Sequence, residues 1–344
     1  MDLKEQVKAL KSELKDAKEN NLETDYIREK IFGLSSANIV TPEWTTKTPS
    51  NINSPGIPTA FWSDWHYSEV VNPTAIGHVN AFNKEIFNRR LQRLVEKTIL
   101  MLTKHMVNPK YDGLVLALGG DMISGEIHHE LTATNTDPAL KSCKELVGKI
   151  KWAIDELLKH FPRLFIPCVV GNHGRTTFKP ESKNYVFKNY DWLIYTMLET
   201  IYEGDKRVVF KVSESTDCQY NIYGTRYLLT HGNQFRGGGG IAGLLSPLMT
   251  GDFKKRKRQT AVNQSYDFML MGHWHQLAQF KGIIVNGSIK GYDEYAADNN
   301  FDFELPQQAL WTTHREIGIN YWMPIKLESQ QSVSEKVKWV SWRE

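Results

Sequence analysis

Five short apolar runs, each followed at once by small and polar residues, constrain the fold of this chain more than any other feature. The runs are GIPTAFWSDWH, LVLALGGD, LFIPCVVGNH, RYLLTHGN and DFMLMGHWH. Runs of this length and composition predict buried strands. Long amphipathic stretches at Asn83 to Met106 and Leu140 to Lys159 predict helices that cover a sheet. The chain is therefore expected to form an α/β domain.

Periodicity and composition divide the chain into four segments. Residues 1–34 place apolar residues at alternating spacings of four and three, which predicts a helix with a heptad seam. That helix either pairs two copies of the chain or lies on the surface of the body, and the pattern favours neither. Residues 35–56, rich in Thr, Pro, Asn and Ser, predict a linker. Residues 57–330 hold the main domain, and residues 331–344 form a tail.

Composition excludes several classes of protein. With 41% hydrophobic and 24% charged residues, the chain is neither disordered nor fibrous. No stretch approaches the roughly 18 apolar residues that span a bilayer. The first residues also lack the apolar core of a secretory signal, so we expect a cytoplasmic protein with no membrane contact. Three widely spaced cysteines favour buried free thiols over disulfides: Cys143, Cys168 and Cys218.

Each predicted strand delivers Asp, Asn or His at its carboxyl end, where open α/β sheets form their ligand sites. Carboxylate, amide and imidazole ligands without thiolate suit Mn, Fe, Zn or Ni and argue against a closed structural zinc site. Nearby glycines would let the backbone turn sharply and approach an ion: Gly119, Gly120, Gly171 and Gly272. The polar residues are Asp64, His66, Asp121, Asn172, His173, His231, His273 and His275.

These residues stand in an order that resembles the full signature of the calcineurin-like metallophosphoesterases. The motifs are Asp64-x-His66, Gly120-Asp121, Gly171-Asn172-His173, His231-Gly232 and Gly272-His273-x-His275. GGDMISGEIHH is closer to bacterial and phage members than to the protein phosphatases of the family, whose Asp-Arg pair is missing. The resemblance implies a four-layer fold, in which a two-sheet β-sandwich is flanked by helices. It leaves the substrate open, because one scaffold serves many phosphate esters.

The resemblance also implies a role for each residue. Asp64, His66 and His275 would hold one divalent ion, Asn172, His231 and His273 the other, and Asp121 would bridge them. Manganese is the first expectation, with iron, zinc or nickel as alternatives. Two such ions share a hydroxide that attacks phosphorus. His173 would act at the leaving oxygen as an acid or as a stabiliser of charge.

One position departs from the family pattern. The family usually has Asp or Glu directly after the histidine of the GNH motif, and this chain has Gly174. His173 is then either a weaker acid or supported from elsewhere in the fold. Arg175 follows and is a candidate to hold a phosphate oxygen, although a plain surface arginine is the stronger expectation.

The segment between His231 and Gly272 must leave and rejoin the metal face, so its composition bears on the substrate. It contains FRGGGGIAG and GDFKKRKRQ, which contribute the candidate substrate residues Arg236, Lys254, Lys255, Arg256, Lys257 and Arg258. A cationic run beside a phosphate-cleaving centre is what a nuclease uses to hold a backbone, whereas a solvated helix face is the alternative. His128 and His129 are further candidates, by comparison with repair nucleases of the family. Trp65 and Trp274 are expected to pack.

Three hypotheses for function remain. The first is a metal-dependent phosphodiesterase acting on DNA, RNA or nucleotides, favoured by the basic segment. The second is a phosphomonoesterase acting on a small phosphorylated metabolite or nucleotide. The third is a binding subunit without catalysis, which is disfavoured because all seven predicted metal ligands are present.

Overall fold

The computed structural model describes residues 12, 15, 41–47, 54–235 and 245–329. The chain divides into two units, Met1–Val40 and Thr41–Glu344. Most of the predicted N-terminal helix, the tail at 331–344 and Arg236 lie outside the described residues. Pairing of two copies through the N-terminal helix therefore stays a prediction.

The larger sheet contains seven strands in the order β11-β10-β1-β2-β3-β4, with β12 paired to β10. Strands β1 to β4 run parallel, and β10 runs antiparallel to β1, β11 and β12. Every residue of β1, β2 and β3 is buried, as expected of interior parallel strands covered on both faces. The strands are β1 Ile57–Trp62, β2 Leu114–Leu118, β3 Leu164–Cys168, β4 Val208–Val212, β10 Gln307–His314, β11 Gly318–Trp322 and β12 Ile325–Lys326.

The smaller sheet contains five strands in the order β5-β6-β7-β9-β8. Its three central strands are parallel, and β5 and β8 form antiparallel edges. The strands are β5 Asp217–Ile222, β6 Thr225–Thr230, β7 Phe268–Met271, β8 Ala278–Phe280 and β9 Ile283–Val285. All five apolar runs singled out in the sequence are thus strands, three in the larger sheet and two in the smaller.

Helices cover the outer faces of both sheets. Asn83 caps the longest helix by accepting the Ile86 amide, and Asn189 caps α5 in the same way with the Asp191 amide. The α-helices are α1 Glu43–Thr46, α2 Lys84–Lys104, α3 His129–Thr134, α4 Ala139–Leu158, α5 Tyr190–Ile201, α6 Leu245–Ala261 and α7 Glu294–Asp298, with a 3-10 turn at Pro73–Ile76.

Three apolar clusters define the layers. One joins α2, α4 and α5 to the larger sheet, a second lies between the two sheets, and a third joins α6 to the smaller sheet. Tyr227 and Trp311 belong to the middle cluster and face each other across the sandwich at 6.2 Å between ring centroids. The predicted fold class, an α/β protein with two sheets and flanking helices, is confirmed.

Within the predicted linker, the structure contains a short helix: α1 packs on the body and buries Trp44, whose ring occupies the space beside Gly113. Near the end of the domain, apolar residues alternate in IGINYWMPIKLE, which is typical of strands. This segment forms β11 and β12, and both extend the larger sheet through β10. Residue spacing predicts a strand but leaves open which sheet will accept it.

The expectation for the cysteines holds within the described residues. Cys143, Cys168 and Cys218 are free and buried. Among the described residues, no helix is both long enough and apolar enough to cross a membrane.

Candidate metal centre

The first three parallel strands end level with one another. Trp62, the last residue of β1, pairs with Leu118, the last of β2, which pairs with Cys168, the last of β3. The chain continues the pairing beyond the strands, because the Asp64 amide donates to Gly120 O at 3.0 Å. The residues that follow these strands therefore emerge side by side at one edge.

The backbone at this edge is held in a conformation that L-residues rarely adopt. Each such residue costs roughly 1–3 kcal/mol and persists only where the surroundings enforce it, most often at functional sites. Five of the eight predicted site residues have positive φ: Asp64 at 54°, His66 at 45°, Asp121 at 53°, His273 at 69° and His275 at 54°.

Two glycines leave room for the carboxylates. A Cβ on Gly171 would lie 2.1 Å from Asp121 Oδ1, and a Cβ on Gly272 would lie 2.1 Å from Asp64 Oδ2. Any other residue at either position would displace the carboxylate. This is the close approach that the sequence predicted for these glycines.

The structure brings the predicted ligands together from both sheets. Three groups each have potential ligand atoms within 4.8 Å of one another: Asp64 with His66 and His275, His66 with Asp121 and His173, and Asp121 with His231 and His273. Asp121 belongs to two of these groups. Its carboxylate is therefore close to His66 and His173 as well as to His231 and His273. Among the described residues, these are the groups of such side chains that could hold a metal ion.

One half of the centre is formed by Asp64, His66 and His275. The Nε2 atoms of the two histidines are 3.0 Å apart, and His275 Nε2 is 3.4 Å from Asp64 Oδ1. The same oxygen, Oδ1, also accepts the His273 amide at 2.8 Å, and the other oxygen, Oδ2, accepts from Ser63 Oγ at 2.5 Å. Two imidazole nitrogens and a carboxylate oxygen thus face the same small volume.

The other half is arranged around His231. Its Nδ1 donates to Gly119 O at 2.8 Å, which directs Nε2 towards Asp121 Oδ2 at 2.9 Å and Asn172 Oδ1 at 3.2 Å. A backbone carbonyl behind an imidazole fixes the tautomer of a metal-binding histidine in this way. His273 completes this half, with its ring centroid 5.2 Å from that of His231.

Burial and neighbouring charges shift the pKa values in this centre strongly. Burial lowers the pKa of His66 to about 4 and that of His273 to about 3. Burial acts in the same direction on His231, but the Asp121 carboxylate overcomes it and raises the pKa to about 9. Burial raises the pKa of the Asp64 and Asp121 carboxyls, but the surrounding histidines overcome it and lower both pKa values below their usual range. Two neighbouring buried carboxylates surrounded by imidazoles are suited to a bound cation.

His173 is held at both its backbone and its ring. Its amide donates to Asp121 Oδ1 at 2.6 Å, and its Nδ1 donates to Ser124 O at 2.8 Å. The support that the missing acidic residue after His173 would give is therefore supplied by a carbonyl. A Cβ on Gly174 would lie 2.3 Å from Asn189 Oδ1, so no acidic side chain fits at that position.

Asp191 is an important residue that the sequence analysis missed. It is fully buried and accepts the backbone amides of Asp121 at 2.8 Å, Met122 at 3.1 Å and Gly171 at 2.9 Å. Burial, with Asp121 nearby, raises the pKa of its carboxyl to about 7. It joins the loops that follow β2 and β3. It lies in the first turn of α5 and follows no strand, so the strand-end pattern gave no signal for it.

Arg175 does not present a free guanidinium to the centre. Its nitrogens donate to the carbonyls of Asn172, Thr177 and Phe178, at 3.1, 2.9 and 2.9 Å. These bonds fold the loop after β3, so the predicted contact with a phosphate oxygen is replaced by a structural role.

The two candidate histidines of GEIHH lie at different distances from the centre. His128 is exposed and its ring centroid is 6.3 Å from that of His173. His129 packs instead against Phe178, at 5.1 Å and a tilt of 32°. Phe178 is 58% exposed. His128 therefore borders the centre, and His129 belongs to an aromatic pair on the adjoining surface.

The basic run lies on α6, and its five members have different environments. Lys255 is buried with Nζ 2.5 Å from Asp217 Oδ1, and Arg258 bonds the other oxygen of Asp217. Arg256 pairs with Asp252 at 2.7 Å. Lys254 and Lys257 are exposed and form no ion pair within the part of the chain that is described. Three of the five cations are thus neutralised internally.

The two tryptophans of the strand-end motifs pack as expected. Trp65 is fully buried and contacts Trp62 and Phe87, at 5.4 and 5.5 Å between ring centroids. Trp274 lies partly buried beside His273 and packs on the cluster below α6. Trp65 therefore has no exposed ring face, and Trp274 is partly covered by its neighbours.

The fold and the site together define an α/β sandwich with a cluster of side chains at its strand ends that could hold metal ions. No protein-family model and no curated protein sequence matches the chain.

Some solved structures are similar to it. Vps29 of Entamoeba histolytica with Zn²⁺ is 11% identical, with 79% of this chain and 100% of that chain covered and a TM-score of 0.32. A Streptococcus pneumoniae protein assigned as a phosphoesterase is 10% identical over 78% and 97%, with a TM-score of 0.27. A Staphylococcus aureus protein assigned as a 5′-nucleotidase is 11% identical over 80% and 55%, with a TM-score of 0.33.

Proposed function

We propose that this chain is a metal-dependent phosphoesterase that holds two divalent ions and cleaves phosphodiester bonds in nucleic acid or nucleotides. One observation carries the proposal: side chains from five separate strand ends, in two different sheets, meet at one place. Their potential ligand atoms lie within 4.8 Å of one another in three overlapping groups. Their order along the chain is the one that resembles the metallophosphoesterases.

The donor set fits two divalent ions. Asp64, His66 and His275 would hold one, and Asn172, His231 and His273 the other, with Asp121 between them. Carboxylate, amide and imidazole donors without thiolate favour manganese, and accept iron, zinc or nickel. When bound, two such ions acidify water to generate a nucleophile and neutralise charge at phosphorus.

The chain's own residues would complete the reaction. His173 Nδ1 donates to Ser124 O, so Nε2 is the nitrogen that remains to exchange a proton. At the leaving oxygen, that nitrogen would donate a proton or stabilise developing negative charge. Asp121 positions His173 by accepting its amide, so the loop after β2 is coupled to the loop after β3.

Two features favour a phosphodiester over a small phosphomonoester. Lys254 and Lys257 are exposed on α6 and form no ion pair within the described residues, so they are suited to contact a phosphate backbone. The exposed Phe178 ring, beside His129, offers a flat surface on which a base could stack. The His128 ring also lies near the His173 ring.

The proposal is tested with purified full-length protein loaded with Mn²⁺. We expect cleavage of a bis-aryl phosphate and of a labelled oligonucleotide, with binding that weakens steeply as salt rises. Turnover of mono-aryl phosphate alone would replace the proposal with a phosphomonoesterase. Two bound ions per chain with no turnover of any of the three would support the binding subunit instead.

A further inference from the structure

A buried cluster of charges lies directly behind His66. The side chains of Glu69, Lys290 and Asp293 are 9%, 4% and 8% exposed. Lys290 Nζ lies 2.9 Å from Glu69 Oε1 and 2.5 Å from Asp293 Oδ2. Burial of charges is costly, and apolar residues of similar volume often stabilise a fold equally well or better. This cluster therefore calls for a role other than stability.

Glu69 faces two residues of the candidate centre. Its Oε2 is 3.2 Å from His66 Nδ1, and no other described group serves that nitrogen as a hydrogen-bond partner. The two atoms are close but do not have the geometry of a hydrogen bond. The interaction is therefore an electrostatic attraction between the carboxylate and the ring N–H. Ser124 Oγ also donates to this Glu69 oxygen, at 3.5 Å, and Ser124 O accepts from His173 Nδ1.

The contact with Glu69 sets the orientation of His66. With Nδ1 directed to Glu69, the opposite nitrogen, Nε2, lies 3.0 Å from His275 Nε2, inside the centre. A carboxylate behind a metal-binding histidine fixes the ring and strengthens it as a ligand. In the other half of the centre, a backbone carbonyl, Gly119 O, has this position behind His231.

Lys290 is itself anchored to the strand ends. Its amide donates to Ser288 Oγ at 3.0 Å, and that hydroxyl donates to Asp64 O at 2.8 Å. The loop after β9 is thus tied to the loop after β1, and Lys290 reaches Glu69 from a fixed base. Asp293 holds the far side of the ammonium group.

We propose that Glu69 is a positioning residue for the candidate metal centre, held in place by Lys290. Its carboxylate fixes the ring of His66 and, through Ser124, supports the carbonyl that orients His173. The inference rests on the proposed function, because it concerns ligands of the same centre.

The test compares metal binding by Glu69→Gln with that of the unaltered protein. Gln is nearly isosteric but lacks the charge that attracts both His66 and Lys290. We expect Mn²⁺ affinity, measured by titration calorimetry, to fall roughly 10–100-fold. The absorption spectrum of the Co²⁺ form should also change, because the orientation of one ligand is altered. Lys290→Met should shift both measurements in the same direction.

Lys84→Met is the matched control. Lys84 also bridges two carboxylates, Asp137 and Glu145, but neither contacts a predicted metal ligand. Its removal should leave Mn²⁺ affinity and the Co²⁺ spectrum unchanged. If Glu69→Gln does not fold, Glu69→Asp keeps the charge but withdraws it by one methylene, and it should weaken metal binding in a folded protein.

The outcomes separate the two proposals. An unaltered protein that binds Mn²⁺ and cleaves ester, alongside a folded Glu69→Gln with the same affinity and spectrum, overturns the role of Glu69 alone. An unaltered protein that takes up no divalent ion overturns the proposed function. A loss of affinity in Lys84→Met equal to that in Lys290→Met would reduce the effect to general destabilisation.

Discussion

The strand-end cluster and the basic run on α6 were both singled out in the sequence. In the structure, the members of the first lie together, whereas the members of the second have different environments. At the strand ends, eight predicted side chains lie together. On α6, five consecutive cations point in different directions, because successive helix residues are turned by about 100°. Lys255 is directed into the protein, and Lys254 and Lys257 into solvent. Position after a parallel strand fixes where a side chain lies, whereas membership of a charge run does not.

The difference follows from what surrounds each region. Parallel strands in register bring their carboxyl ends to one edge, so the chain order alone places Asp64 beside Asp121. Whether an α6 cation is paired depends instead on whether an acidic side chain lies close to it. Asp217, which pairs with Lys255 and Arg258, lies on β5 and is distant from them in sequence. Four predictions, from the largest expected effect to the smallest, test this contrast.

Asp121→Ala should abolish turnover and deplete bound metal in both halves of the centre. Its carboxylate lies within reach of His66 on one side and of His231 and His273 on the other. Metal content by elemental analysis and Mn²⁺-dependent cleavage of a bis-aryl phosphate are the measurements. Asp205→Ala, which removes a partly exposed carboxylate paired with Arg207, is the control and should retain both. Full activity in Asp121→Ala would refute the assignment of the centre.

The sequence revealed the ligands but not the residues that orient them. The ligands follow apolar strands, which gave a pattern of five repeats. Asp191, in contrast, lies in a helix turn, and Glu69 and Lys290 lie in loops and meet only after folding. No local spacing relates Glu69 to Lys290, which are 221 positions apart. Contacts of this kind depend on the tertiary path of the chain, so periodicity does not predict them.

The sequence also left sheet membership undecided for its last strands. Alternating apolar residues identify a half-buried strand, but both sheets present edges to which such a strand could add. β10 pairs antiparallel with β1 in the middle of the larger sheet, and β11 follows on the outside. The buried Trp311 and the stacked Trp322, 6.1 Å apart, hold this edge by packing. That packing is a property of the folded core.

His173→Ala should lower the rate of ester cleavage by roughly 10²–10⁴-fold and leave metal content unchanged, because the ring acts on the leaving oxygen and not on the ions. The loss should be largest for substrates with a poor leaving group, where proton donation matters most. Single-turnover rates with aryl esters of graded leaving-group acidity measure it. His160→Ala, at an exposed ring that follows α4 and has no part in the candidate centre, is the control. Loss of metal in His173→Ala would instead make this residue a ligand, as its group with His66 and Asp121 permits.

Asp217→Ala should destabilise the fold by roughly 3–5 kcal/mol, because it leaves Lys255 buried without its partner. The free energy of unfolding is measured by urea titration. The rate per folded molecule should be unchanged, since Asp217 pairs with α6 and lies outside the candidate centre. Asp217→Ala combined with Lys255→Met should recover much of the loss. A large fall in rate without a fall in stability would mean that this pair belongs to the site after all.

The smallest effect is expected at the two unpaired lysines of α6. Lys254→Ala with Lys257→Ala should weaken oligonucleotide binding severalfold and reduce the dependence of binding on salt by about one counterion per lysine. Cleavage of a bis-aryl phosphate should not change, because that substrate does not extend to the helix. Lys144→Ala is the matched control, since this exposed lysine lies on α4, which packs on the larger sheet. If the α6 double variant and the control lower oligonucleotide binding equally, the basic run has no more than a general electrostatic effect. A selective loss in the α6 variant would show that two of the five predicted cations suffice to bring a polyanion to the centre.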